Sequence, residues 1–388
     1  MDNTNRILIL IAVALAIGIG GLLLINSPKV VVEAPPVAQS PEPQPEPEPE
    51  PDPMTPDEAV LTITENEIKE NLEYLASDEL EGRMSGKKGN VLAAKFIKEQ
   101  FESFGLNAEY QKFKIRRVNP GPNNEAGDDF TQNIIGWIEG NDPNLKNEII
   151  VVGAHMDHIG YGPSMSRTRK IAIHPGADDN ASGTVALIAV AKAFSNLKGQ
   201  NARTVVFQAY SAEEMGLIGA RHYCDNPMFP KSNPSIKSHK FMLNMDMVGW
   251  LGQGYYYATF HGGDSSIDVS KIINELNDKY AFARKITSRG GGGSDHAAFY
   301  NRRVPVAFLH TGMHQHYHLP SDTADKINYG GLTQVARYGF ELAWKVCQSP
   351  NAPRFNNATF KVMEYTHDHG HPDVPFYIHS YHKEEDEK

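Results

Sequence analysis

Cysteine is almost missing from this chain of 388 residues: Cys224 and Cys347 are the only two. That is too few for a disulfide framework or a thiolate-bound metal, and one bridge between them is the most an oxidising compartment could form. Positive charge is not in excess either. Lys and Arg number 37 against 47 Asp and Glu, for a formal net charge of −10. The basic residues are scattered, and no stripe of aromatic and basic side chains offers stacking for bases, so nucleic acid is excluded as a partner. No internal repeat is visible. Long apolar runs are confined to residues 7–25, which carry no charge. At ~1.5 Å per residue such a run, as a helix, matches the thickness of a bilayer core. It is longer than a usual leader's apolar segment, and no small-x-small cleavage site follows before Lys29. An uncleaved anchor is therefore expected over 1–28, with the body outside the cytoplasm. A cleaved leader and secretion are the second reading.

What the chain does have is histidine, 16 in all, and a marked change of composition after the anchor. Residues 29–60 are rich in proline and glutamate, with an alternating run at 41–51. Proline removes backbone donors and the acids repel one another, so an extended tether is expected. A single large body is predicted over 61–350, opening near the capping-box pattern Thr64-Glu65-Asn66-Glu67. A His-rich and acidic tail follows at 351–388. Within the body, β-branched runs predict strands over 110–116, 133–138, 148–155, 203–210, 241–246, 255–260 and 304–310. Apolar periodicity predicts helices from residue 65, from about 90 to Gly105, and over 183–197, 214–223, 267–280 and 330–347. Strands alternating with helices imply an α/β fold: a mixed, mostly parallel twisted sheet flanked by helices on both faces.

In such folds ligands gather at the carboxyl ends of the strands. There the sequence places His155 and Asp157 after one run, Asp178 and Asp179 before a helix, Glu213 and Glu214 after a third run, Asp246 after a fourth, and His318 in a His-rich loop after the last. Each has a plainer reading: helix-terminal charges, caps, a loop histidine. Burying them singly and unpaired would cost several kcal/mol apiece. One shared metal site accounts for all of them together.

The segments Gly153-Ala154-His155-Met156-Asp157, Gly176-Ala177-Asp178-Asp179-Asn180-Ala181-Ser182-Gly183, Ala212-Glu213-Glu214-Met215-Gly216, Asn244-Met245-Asp246-Met247 and Tyr317-His318-Leu319-Pro320-Ser321-Asp322-Thr323 resemble, in order, the motifs of metallopeptidase family 28. Ser294-Asp295-His296 is similar to its pattern as well. The resemblance spans roughly residues 64–348 and implies a zinc-exopeptidase-like fold and an aminopeptidase acting on peptide N-termini with two Zn2+ per chain. It assigns His155 and Asp246 to one zinc, Glu214 and His318 to the other, and Asp179 to both, with a cis peptide after Asp179. Glu213 would be the general base working on a water that bridges the two ions. Tyr317 would donate to the oxyanion, Asp157 would accept the second ring N–H of His155, and Asp178 would steady the bridging loop or cap the helix. Two rivals remain at this point: a glutaminyl-cyclase-like transferase, whose members usually hold one zinc, and a binding ectodomain without catalysis.

Other features carry less. The glycine run Gly290-Gly291-Gly292-Gly293 lacks the Lys-Ser/Thr of a phosphate loop and is expected at the rim of the site, together with His310, His314 and His316. His367, His369 and His371 read as part of a solvated tail, and Asn357-Ala358-Thr359 fits a glycosylation sequon.

Overall fold

The computed structural model describes residues 52–115, 128–252, 257–276, 279–280, 283–287 and 290–360. The anchor, most of the tether and the histidines of the tail lie outside them. Among the described residues no helix is long and apolar enough to cross a membrane.

In chain order the elements are α1 (Pro56–Ala59), α2 (Glu65–Leu75), α3 (Lys88–Ser103), β1 (Asn107–Lys114), β2 (Phe130–Ile138), β3 (Ile149–His155), α4 (Gly183–Ser195), β4 (Thr204–Tyr210), α5 (Ile218–Asp225), β5 (His239–Met245), β6 (Tyr257–His261), α6 (Ile267–Glu275), β7 (Ala283–Thr287), α7 (His296–Tyr300), β8 (Val306–His310) and α8 (Tyr329–Gln348). The strands form one sheet in the order β1-β2-β4-β3-β5-β8-β6-β7. Its centre, β4-β3-β5-β8, is parallel, while β1, β2 and β6 pair antiparallel with their inner neighbours.

Side-chain alternation explains why the sheet is covered twice. Ile150, Val152 and Ala154 of β3 face the larger core, with α3, α4 and α8, whereas Ile149 and Val151 face a second cluster with Tyr223 of α5 and Phe299 of α7. Every residue of β3 and β4 is buried, which is why these strands read as unbroken apolar runs. The mostly parallel, doubly covered α/β architecture is thus present.

Two local expectations are corrected. The helix predicted over 214–223 begins only at Ile218, because the Glu213 carbonyl accepts the N–H groups of both Gly216 and Leu217 in a turn. The cap left open for Asp178 is not formed; the Asn180 side-chain oxygen accepts the Gly183 N–H instead, at 2.9 Å. Strand β7 and helix α7 had no clear signature: Ala283-Arg284-Lys285-Ile286-Thr287 is a charged edge strand, and α7 is five residues long.

Candidate metal centre

The carboxyl ends of the four parallel strands bring two donor groups together. In one, His155 Nε2 lies 3.5 Å from Asp179 Oδ1 and 3.4 Å from Asp246 Oδ1. In the other, His318 Nε2 lies 3.1 Å from Asp179 Oδ2 and 3.2 Å from Glu214 Oε2. Asp179 therefore turns one oxygen to each group. Both are buried, and the second gains a further imidazole, His158.

The tautomers are fixed from outside. His155 donates Nδ1–H to the Asp157 carbonyl at 3.2 Å, and His318 donates Nδ1–H to the Met165 carbonyl at 2.9 Å. Each Nε2 then points inward, able to bind a cation in place of its hydrogen. His318 Nε2 and Asp246 Oδ1 are buried without a hydrogen-bond partner, which costs ~1–3 kcal/mol apiece unless a cation satisfies them. Imidazole and carboxylate donors with no thiolate fit zinc. The electrostatics agree. Burial opposes charge on His318, but the Glu214 and Asp179 carboxylates outweigh it and push the imidazole up to about 11.

Asp179 sits on backbone that Asp322 and Asn180 tie down. The Asp179–Asn180 peptide is cis. The Asp322 carboxylate accepts the N–H groups of Asp178 and Asp179 at 3.0 and 3.1 Å. Asn180 donates to the Met245 carbonyl at the end of β5, and Thr184 donates to the His155 carbonyl at the end of β3. Gly183 has to be glycine for contact: a Cβ there would stand 2.2 Å from the Met245 carbonyl oxygen. Four non-glycine residues near the centre, Arg83, Ala212, Met247 and His318, hold left-handed backbone with φ between 50 and 59°, a region that costs ordinary residues ~1–2 kcal/mol.

Beneath the site lies Arg83, 1% exposed. Its guanidinium donates to the carbonyls of Leu75, Met156, Pro175 and Gly176 at 2.6–2.9 Å. It thereby clamps the loop after β3 to the loop that carries Asp179. Burial lowers its pKa to about 10, so it stays cationic at neutral pH.

The remaining candidates fall around this centre. Glu213 is half-buried, its N–H bonded to Asp157 Oδ1 at 3.1 Å. Burial pushes its carboxyl well above the usual range; His155 opposes this, and Glu214, Asp295 and Asp246 add to it. Tyr317 stacks on His318 with ring centroids 3.9 Å apart, and burial raises its phenol. The Asp157 carboxylate sits 3.7 Å from His155 Nδ1, farther than its own main-chain oxygen. Asp178 is fully buried, accepting the Gly249 N–H at 2.7 Å and facing His314 Nε2 at 2.9 Å. His314, expected at the rim, is thus committed to Asp178 and stacks on Trp250.

Sequence reasoning missed His158, Arg83 and the role of Asp322. The first stands three residues after His155, and the last lies inside a motif already singled out. Arg83 gave no signal beyond its glycine neighbour.

Residues 133–343 match Peptidase family M28. Over 230 residues the chain is 29% identical to leucine aminopeptidase 2 of Arthroderma otae, covering 52% of this chain and 42% of that protein. The chain thus spans less than half of that relative's length. A zinc aminopeptidase from Bacillus subtilis superimposes with a TM-score of 0.62 at 17% identity, over 76% of this chain and 98% of the other. A glutaminyl cyclase from Bacteroides thetaiotaomicron does so with a TM-score of 0.56 at 19% identity, over 73% and 98%. At these identities both likenesses speak for the fold.

Proposed function

The chain belongs to peptidase family M28, and from that premise we propose that it is an aminopeptidase that uses two zinc ions to remove residues from free peptide N-termini. The observation that carries the proposal is one buried aspartate, Asp179, shared by two groups of imidazole and carboxylate donors. In this reading His155 and Asp246 hold one ion, Glu214 and His318 the other, and Asp179 both. Zinc bound there would supply Lewis acidity, which makes water a stronger acid and polarises a carbonyl.

The chain's own residues do the rest. Glu213 takes the proton of the attacking water and passes it to the departing amine; its raised proton affinity suits a group that must hold that proton between the two steps. The Tyr317 phenol, kept protonated by burial, donates to the carbonyl oxygen as charge develops there. Asp157 anchors the Glu213 main chain, and Asp322 and Asp178 keep the Asp179 loop in place. Residues 7–25 and the tether support a body displayed outside the cytoplasm on a membrane anchor.

The rival is a glutaminyl-cyclase-like transferase, since that fold is shared; a complete second donor group favours the peptidase. Metal analysis and a substrate panel decide between them. The proposal expects two zinc per chain and hydrolysis of leucyl and other free-N-terminal peptides. N-acetylated peptides should resist, and chelator should abolish the activity until zinc is restored. One zinc with cyclisation of N-terminal glutamine would establish the transferase. No bound zinc and no turnover would establish a binding protein.

A further inference from the structure

We propose that His158 is a positioning residue for Glu214. It donates its Nδ1 hydrogen to Glu214 Oε1, which leaves Oε2 alone to face the ion. The inference rests on the two-ion reading above and adds a residue to it.

Distances separate the roles. Atoms sharing one tetrahedral zinc at ~2.0–2.2 Å lie roughly 3.3–3.6 Å apart. The pairs His155–Asp179, His155–Asp246, His318–Asp179 and His318–Glu214 lie at 3.5, 3.4, 3.1 and 3.2 Å. His158 Nδ1 stands 2.8 Å from Glu214 Oε1, a hydrogen-bond distance too short for two ligands of one ion, and 3.7 Å from Asp179 Oδ2. The oxygen it meets is the one turned away from His318.

The ring has a built seat. Its side chain is fully buried. Gly176, at φ 57°, lies under it, and a Cβ there would come within 2.5 Å of His158 Cδ2. The His158 N–H bonds the Arg83 carbonyl, and the Arg83 guanidinium holds the Gly176 carbonyl, so one residue braces the histidine and the floor beneath it. A carboxylate pinned through one oxygen binds through the other only, which keeps a coordination position open for substrate. Hydrogen-bond partners of metal ligands typically change affinity 10–100-fold.

The test uses the full chain, with zinc titrated against a chromophoric chelator. Wild type should take up two ions. His158→Ala should weaken one of the two affinities ~10–100-fold and leave the other unchanged. His158→Asn, whose amide also offers an N–H, should recover most of the loss. Unfolding of the metal-free variants checks that the fold is kept. Two-ion binding by His158→Ala at wild-type strength would overturn the proposal. So would loss of one ion outright in both variants, which would make His158 a direct ligand. Nitrogen-15 NMR of zinc-loaded wild type gives the same decision without a variant: Nδ1 of His158 carries a hydrogen if it donates, and none if it ligates. Should wild type itself bind fewer than two ions, it is the two-ion reading that fails.

Discussion

His239, at the first position of β5 and the opposite end from Asp246, gives a stability prediction with a definite sign. Its imidazole is buried, bonded to the Tyr223 hydroxyl at 2.9 Å and donating to the Ser235 carbonyl at 3.0 Å. Burial lowers its pKa from 6.5 to about 4. The unfolded chain therefore binds a proton below pH 6.5 that the folded chain refuses until about pH 4. Stability is full at neutral pH and falls as pH drops through that window. Linkage gives a loss of about 2 kcal/mol between pH 7 and 5, and about 3 kcal/mol once both states are protonated. Urea unfolding of metal-free wild type and His239→Gln at the two pH values measures it. Glutamine can accept from Tyr223 and donate to Ser235 but does not titrate. Wild type should lose about 2 kcal/mol more than the variant, since every other acid-sensitive group cancels in that difference. Equal losses would mean that the folded state does not keep His239 neutral. Using metal-free protein keeps acid release of metal out of the comparison, and His239 lies at the far end of β5 from the donors.

Three further predictions concern the site. Glu213→Gln should keep both metals, measured by elemental analysis, and lower kcat by ~10²–10⁴-fold, the usual contribution of a general base; wild-type turnover would remove Glu213 from that role. Asp179→Ala should lose metal from both groups, and full occupancy would refute sharing. Arg83→Met leaves four buried carbonyls without their cation and should cost at least ~3 kcal/mol in denaturant unfolding; a smaller change would mean that the clamp is dispensable.

Much of this was legible in the sequence, for identifiable reasons. Strands β3, β4 and β5 announce themselves because residues buried on two faces must be apolar, and the polar groups that end them stand out by contrast. The start of α5 was not legible, since it depends on Leu217 adopting a left-handed backbone, which no propensity for leucine foretells. Arg83 was equally hidden. Its value lies in four carbonyls contributed by three separate segments, and a lone arginine in a Glu-Gly-Arg loop reads as surface charge. Asp178 was read as a cap or loop support because acids before a helix usually serve its N–H groups. Here Asn180 takes the capping duty, and Asp178 ties its loop to Gly249 and His314, partners far along the chain in the segments that follow β5 and β8.

The left-handed turns at Arg83, Ala212, Met247 and His318 bear on any attempt to copy this chemistry elsewhere. A peptide reproducing one of these motifs would relax each such residue to an ordinary conformation at once and lose the aim of the neighbouring side chain. The recipe is therefore larger than the five proposed ligands. A scaffold meant to receive them must also supply the tertiary grip that keeps four unwilling residues bent the other way.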